Sequence, residues 1–168
     1  MTAEIRLSRQ LVDQVQADLR RRHPFAHERV GFLSCRTAAL PAGGVIIIPA
    51  AYYRLEDDEY VESDEAGAMM TEIAIGRAMQ RAYHDRMSIV HVHEHGHNGR
   101  PDFSGIDIRE AHEFVPDFFN ACPRQPHGLM VLSRDYAAGL VWRHGGAAAQ
   151  PASVTIVGAP MRFNRTAP

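Results

Sequence analysis

Apolar residues recur along this chain at two spacings, one helical and one alternating, and the changes between them mark the elements. Ile5 to Leu7 reads as a short strand. Ser8 can cap a helix in which Leu11, Val12, Val15 and Leu19 share one face. That helix is predicted to run to about Arg22, with Arg20, Arg21 and Arg22 in its last turn and Pro24 as its stop. A β run then begins at Glu28 and continues to Cys35, and Gly44 to Pro49 supplies a second strand. The turn residues Pro41 to Gly44 lie between them, so a hairpin is expected.

Ser63 can cap a second helix, with Asp64 and Glu65 in its first turn. Met69, Met70, Ile73, Met79 and Tyr83 recur at helical spacing to about His84, which predicts a buried methionine-rich face. Met87 to His95 reads as the central strand, and Gly96 to Phe103 as the loop that follows it. A third helix is predicted from about Gly105, with Ile108, Ala111, Val115, Phe118 and Cys122 buried. Pro116 should break it into two short helices. His127 to Leu132 and Ala138 to Arg143 form a hairpin around Ser133 to Tyr136, and Ser153 to Val157 is a last strand. Strands and helices are thus mixed, an α/β (α+β) pattern. With no internal repeat and no long linker, it reads as one domain over residues 1–168, with a core of about 5–160 and a loose tail at 161–168.

Composition narrows the class. A chain of 168 residues with 45% hydrophobic content can bury about two-thirds of its unfolded surface in one core. Eighteen basic against twenty acidic residues leave a formal charge of -2, so neither nucleic acid nor an anionic membrane is favoured as partner. Two cysteines, Cys35 and Cys122, are too few for a disulfide framework, and the N-terminus lacks the apolar core of a signal peptide. A cytoplasmic location is the expectation. The acidic run from Arg54 to Asp64 reads as a solvated loop, or else as a contact surface for a basic partner.

The chemistry concentrates at the end of the central strand. Four of the ten histidines stand at alternate positions, His91, His93, His95 and His97. Neutral imidazole is the commonest side-chain metal ligand, and alternate residues of a strand project to one side. His91 and His95 would be ~13 Å apart on an extended strand, too far to share one ion. A tetrahedral site therefore wants a neighbouring pair and a third ligand, for which Asp107 at the end of the loop is the natural candidate. His91/His93 and His93/His95 both satisfy the spacing, and the later pair lies nearer the loop that carries Asp107. The plainer reading of Ser104 and Asp107 is a helix cap and a first-turn acid, which is compatible with a metal role.

Together, Glu28-x-x-Gly31-Phe32-Leu33, His93-x-His95 and Ser104-x-x-Asp107 resemble the signature of the JAMM/MPN (JAB-like) metalloproteases. The resemblance extends over about residues 5–160 in the order of elements. It departs at Gly96, where the family usually has proline, and in a loop before Ser104 one residue longer than the commonest spacing. The fold it implies is an MPN-like (cytidine-deaminase-like) core, a curved mixed β-sheet flanked by helices. The implied cofactor is one Zn2+ with its water, held by His93, His95 and Asp107. Glu28 would be the general base and Ser104 the stabiliser of the oxyanion. The implied activity is that of a deubiquitinase-like isopeptidase or peptidase cleaving after the C-terminus of a ubiquitin-like protein. Small prokaryotic members act in ubiquitination-like pathways, including phage-defence operons, so activating (E1-like) and conjugating (E2-like) enzymes become candidate partners. Others process sulfur-carrier proteins, and some MPN proteins are inert scaffolds that have lost the ligands. A cysteine hydrolase built on Cys35 or Cys122 is disfavoured, because both thiols fall on apolar, buried-type positions.

Overall fold

The computed structural model describes residues 2–23, 27–62 and 67–158. Nine strands and three helices follow in the order β1 (Ala3–Ser8), α1 (Arg9–Leu19), β2 (Val30–Leu40), β3 (Gly44–Arg54), β4 (Tyr60–Val61), β5 (Met69–Met70), α2 (Glu72–Asp85), β6 (Ser88–Glu94), α3 (Gly105–Ala121), β7 (His127–Leu132), β8 (Ala137–Trp142) and β9 (Gln150–Val157). Seven strands curl into a closed mixed barrel in the order β1-β3-β2-β6-β7-β8-β9, and β4 pairs with β5 apart from it. β1 is parallel to both β3 and β9, and β6 is parallel to β7. β2 and β8 run antiparallel to their neighbours, so β1, β3, β6, β7 and β9 share one direction.

The period of two decides what each face of β6 meets. Val90 and Val92 join Leu33, Cys35, Ile47, Met130 and Val141 in one apolar cluster, which α1 completes with Leu11, Val12, Val15 and Leu19. Ile89 points the other way, to the cluster that includes Phe32, Phe114, Phe118 and Leu129. His91 and His93 share the parity of Ile89 and so face the α3 side. Burial on both faces is what a central strand requires, and β2 shows it too.

Local chemistry sets the helix ends. Ser8 accepts a hydrogen bond from the Leu11 N–H at 3.2 Å, as an N-cap should. α1 nevertheless stops at Leu19, so Arg20, Arg21 and Arg22 lie beyond its end rather than in its last turn. The expected Ser63 cap, with Asp64 and Glu65, falls outside the described residues; α2 begins at Glu72 with Thr71 as its cap. Its buried face is the stripe Ala74, Ala78 and Ala82, not the predicted methionine face. Met69 and Met70 belong to β5, while Ile73 and Tyr83 are 64% and 67% exposed. Small residues at that spacing let the helix backbone lie close to its neighbours.

α3 is also a correction, since it runs unbroken through Pro116 for seventeen residues. Ala111, Phe114 and Val115 precede the proline and Phe118 and Phe119 follow it, all buried. Burying both halves in one core offsets the lost backbone bond, which costs about 3 kcal/mol or more. The described part of the acidic run, residues 54–62, is built into the fold more than a solvated loop would be. A 3-10 turn at Asp57–Glu59 buries Glu59, which meets Arg77 at 2.7 Å, and Asp57 meets the buried Arg29 at 2.7 Å. The β2–β3 and β7–β8 hairpins lie where the turn residues place them. No helix among the described residues is long and apolar enough to cross a membrane.

Candidate metal centre

Three separate parts of the chain deliver the candidate residues to one place. His93 ends the buried part of β6, 2% exposed, with Val30 of β2 as its cross-strand partner. His95 follows the strand and is held by its backbone, whose N–H donates to the Leu132 carbonyl at 2.8 Å. The loop beyond is tied to the β7–β8 turn. The Arg134 N–H donates to the His97 carbonyl at 3.0 Å, and the Gly99 N–H to Asp135 Oδ1 at 2.8 Å. Asp107 comes from the first turn of α3, and Glu28 from the segment just before β2.

The side chains converge. Asp107 Oδ1 lies 3.4 Å from His93 Nε2, and its Oδ2 lies 3.8 Å from His95 Nε2. Glu28, His93 and His95 each offer one ligand atom, all within 4.8 Å of one another. Neither ring nitrogen of His93 makes a hydrogen bond, although the ring is buried. An imidazole taken out of water without partners is costly. A metal ion shared with His95 and a carboxylate is the kind of partner that would offset that cost. The donor set, two imidazoles and carboxylate oxygen, fits zinc.

Asp107 is fixed before any ligand arrives. Its Oδ2 accepts the Ser104 N–H at 2.6 Å, while Ser104 Oγ accepts the Asp107 N–H at 3.1 Å, a reciprocal capping box. The plain helix-cap reading of this pair is therefore correct, and Oδ1 is left directed at His93. Burial works to raise the Asp107 carboxyl, but His93 and the two Ser104 contacts overcome it and hold the group far below the carboxylate range. Ser104 is exposed, and its hydroxyl hydrogen is free to donate outward because its oxygen serves as the acceptor in the box.

Burial pushes the Glu28 carboxyl above the usual carboxylate range, against the pull of His93 and His95. Gly67 makes room for it, a role that no local signal in the sequence marks. The Gly67 carbonyl accepts the N–H groups of both His27 and Glu28 at 2.9 Å, and a Cβ on Gly67 would collide with Glu28 Oε1.

His91 stands apart from this group. Its ring packs on Phe114 at 5.0 Å and Phe32 at 5.6 Å, with no hydrogen bond at either nitrogen, and burial holds it down to about 3. Of the two pairs the spacing leaves open, His93/His95 is the one that meets the carboxylates. His97 stays exposed and bonds to the neighbouring Asn98 carbonyl. Cys35 and Cys122 are both buried, and burial raises both thiols, which disfavours a thiolate nucleophile.

Two hollows lie on this part of the molecule, and only the first includes a residue of the centre. One, of about 350 Å³, includes Glu28, Glu94, Gly96 and the arginines after α1 in its wall. The other, of about 220 Å³, lies on the α3 side, with Met69, Met70 and Phe114 beneath Glu110, Glu113 and Asp117. No protein-family model matches the chain, and no curated protein is significantly similar to it.

Proposed function

We propose that the chain is a zinc-dependent peptidase or isopeptidase of the JAMM/MPN kind, on an MPN-like core. The observation that carries this reading is the meeting of Glu28, His93, His95 and Asp107 from three distant segments, with the His93 nitrogens otherwise unpartnered. His93, His95 and Asp107 would hold the ion. Zinc there supplies Lewis-acid polarisation of a carbonyl and acidifies water toward neutral pH. Glu28, raised by burial and in no ion pair with an arginine among the described residues, accepts a proton from the attacking water and passes it to the leaving amine. Ser104 donates its free O–H to the oxyanion that forms as the amide carbon becomes tetrahedral.

The resemblance alone names the substrate, the C-terminal glycine of a ubiquitin-like or sulfur-carrier protein, in a bacterial ubiquitination-like or phage-defence setting. The test is cleavage of a fusion between such a protein and a reporter, with and without chelator. Glu28→Ala is expected to lower cleavage by about 10²–10⁴-fold while zinc remains stoichiometric. A second assignment has its own support, because Glu28 itself falls within ligand distance of both imidazoles. If Glu28 is a ligand and not the base, the same variant loses the metal.

A further inference from the structure

The hollow beside Glu28 has a charge that the peptidase chemistry does not use. Five arginines, Arg20, Arg21, Arg22, Arg29 and Arg134, line it against two carboxylates, Glu28 and Glu94. Glu94 is already engaged, accepting from Arg20 Nε at 2.9 Å, and Arg21 is paired with Asp18. Arg22 and Arg134 are exposed and make no ion pair among the described residues. The cluster is built rather than casual. Arg29 is 2% exposed, and it donates to the backbone carbonyls of Arg21 at 3.2 Å and Arg22 at 2.8 Å. Its Nη1 is buried with no hydrogen-bond partner. One buried guanidinium thus fixes the chain after α1 beside Glu28, its own neighbour in sequence.

We infer that this arginine-lined cleft is a substrate subsite for an Asp/Glu-rich stretch of polypeptide flanking the scissile bond. The inference rests on the peptidase reading and adds to it the chemistry of the substrate. Charge complementarity selects an acidic occupant, and Gly96 and Glu28 in the wall make the cleft continuous with the metal centre. A polypeptide fits better than a nucleic acid. Among the described residues no Phe, Tyr or Trp lines the cleft for base stacking, and about 350 Å³ is the size of a small-ligand site. Arginine forks suit carboxylates, which they bind in bidentate fashion.

The experiment uses the full-length, zinc-loaded protein and fluorescence anisotropy with a short labelled peptide of alternating Glu and Ser. Its Lys-for-Glu counterpart and a single-stranded oligodeoxynucleotide of equal charge serve as comparisons. The Glu peptide should bind in preference to both, more weakly as NaCl rises from about 25 to about 200 mM. Arg22→Glu with Arg134→Glu should weaken it about tenfold, and Arg9→Glu, on α1 outside the cleft, should not. Equal binding of the Lys peptide, an unchanged double variant, or tighter binding of the oligonucleotide overturns the inference. In a second arm, reporter fusions carry the Glu stretch on one side or the other of the cleavage point. The double variant should raise KM with kcat held. Cleavage with an unmoved KM in both fusions rejects the subsite and leaves the peptidase reading standing. Cleavage of neither fusion by the wild type, with peptide binding intact, rejects the peptidase reading instead.

Discussion

His93 and His127 are both buried imidazoles, yet the structure provides for them in opposite ways. His127 opens β7 with every polar atom used. Its Nδ1 accepts the Ile89 N–H at 3.1 Å, its Nε2 lies 3.1 Å from the Cys122 carbonyl, and Phe118 and Phe119 pack on the ring. That set of partners fixes a neutral ring protonated at Nε2. His93 lies at the other end of the same layer with no hydrogen bond at either nitrogen, its Nε2 3.4 Å from Asp107 Oδ1 and Glu28 close by. One histidine is an internal strut, and the other carries donors that the protein itself leaves unspent. Burial alone does not separate a structural histidine from a ligand, and neither does a missing hydrogen bond, since His91 lacks one too; what marks His93 is unbonded nitrogen with carboxylates and a second imidazole beside it.

The largest expected effect would break the comparison if it failed. His93→Ala should abolish zinc binding and cleavage, and the metal-free variant should be close to the metal-free wild type in stability. Calorimetry with added zinc checks this, since metal at about a thousandfold over Kd stabilises the wild type by about 4 kcal/mol and should leave the variant unmoved. Equal zinc responses in the two proteins would remove His93 from the centre.

His127 should show the reverse, a loss of stability with zinc binding kept. His127→Phe retains the ring packing but strands the Ile89 N–H and the Cys122 carbonyl, at a cost of about 2–3 kcal/mol near neutral pH. Acid should shrink that difference. Burial holds folded His127 down to about 4, against 6.5 for the free group. Between those values the unfolded chain binds more protons, so the contribution of a neutral His127 is complete above about 6.5. It drains away toward pH 4, by about 3 kcal/mol in all. Denaturant melts of the metal-free proteins across that range should show a flatter profile for the variant. It should not be flat, because the low value of His91 remains in both.

A smaller effect sharpens the contrast between holding an ion and placing a base. Gly67→Ala forces the end of the Glu28 side chain to move, while His93, His95 and Asp107 are untouched. Cleavage is expected to fall about tenfold with zinc content unchanged, as a displaced catalytic group predicts. Steady-state rates and metal analysis on the same preparation check it, and an unimpaired rate would show that the seat of Glu28 is not critical.

The parts legible in the sequence were those whose signal is local. The Ser8 cap, the two hairpins and β6 announce themselves through turn residues and a period of two, and the bonded pair Ser104 and Asp107 shows in its own spacing. The misread parts depend on partners far along the chain. Pro116 survives because both halves of α3 are buried, and the acidic turn is ordered by Arg29 and Arg77. Met69 leaves the helix to pair with Val61. Glu28, His93, His95 and Asp107 could be picked out by their pattern, but Gly67 could not. Its importance arises only once the chain folds Glu28 across it.

The parallel seam between β1 and β9 has a practical consequence. Ala3 pairs with Ala152 and Ser8 with Val157, so the two strands travel together toward the end of the barrel where β6 delivers its histidines. The first strand therefore starts from the remote rim, whereas the ninth finishes on the reactive one. A surface tether or bulky fluorescent tag attached ahead of Ala3 would leave access to the imidazoles open, while the same attachment spliced in directly after Val157 would crowd it. Deleting β9 would do more harm than either, because it would unzip the seam and turn β1 and β8 into bare edges prone to self-association.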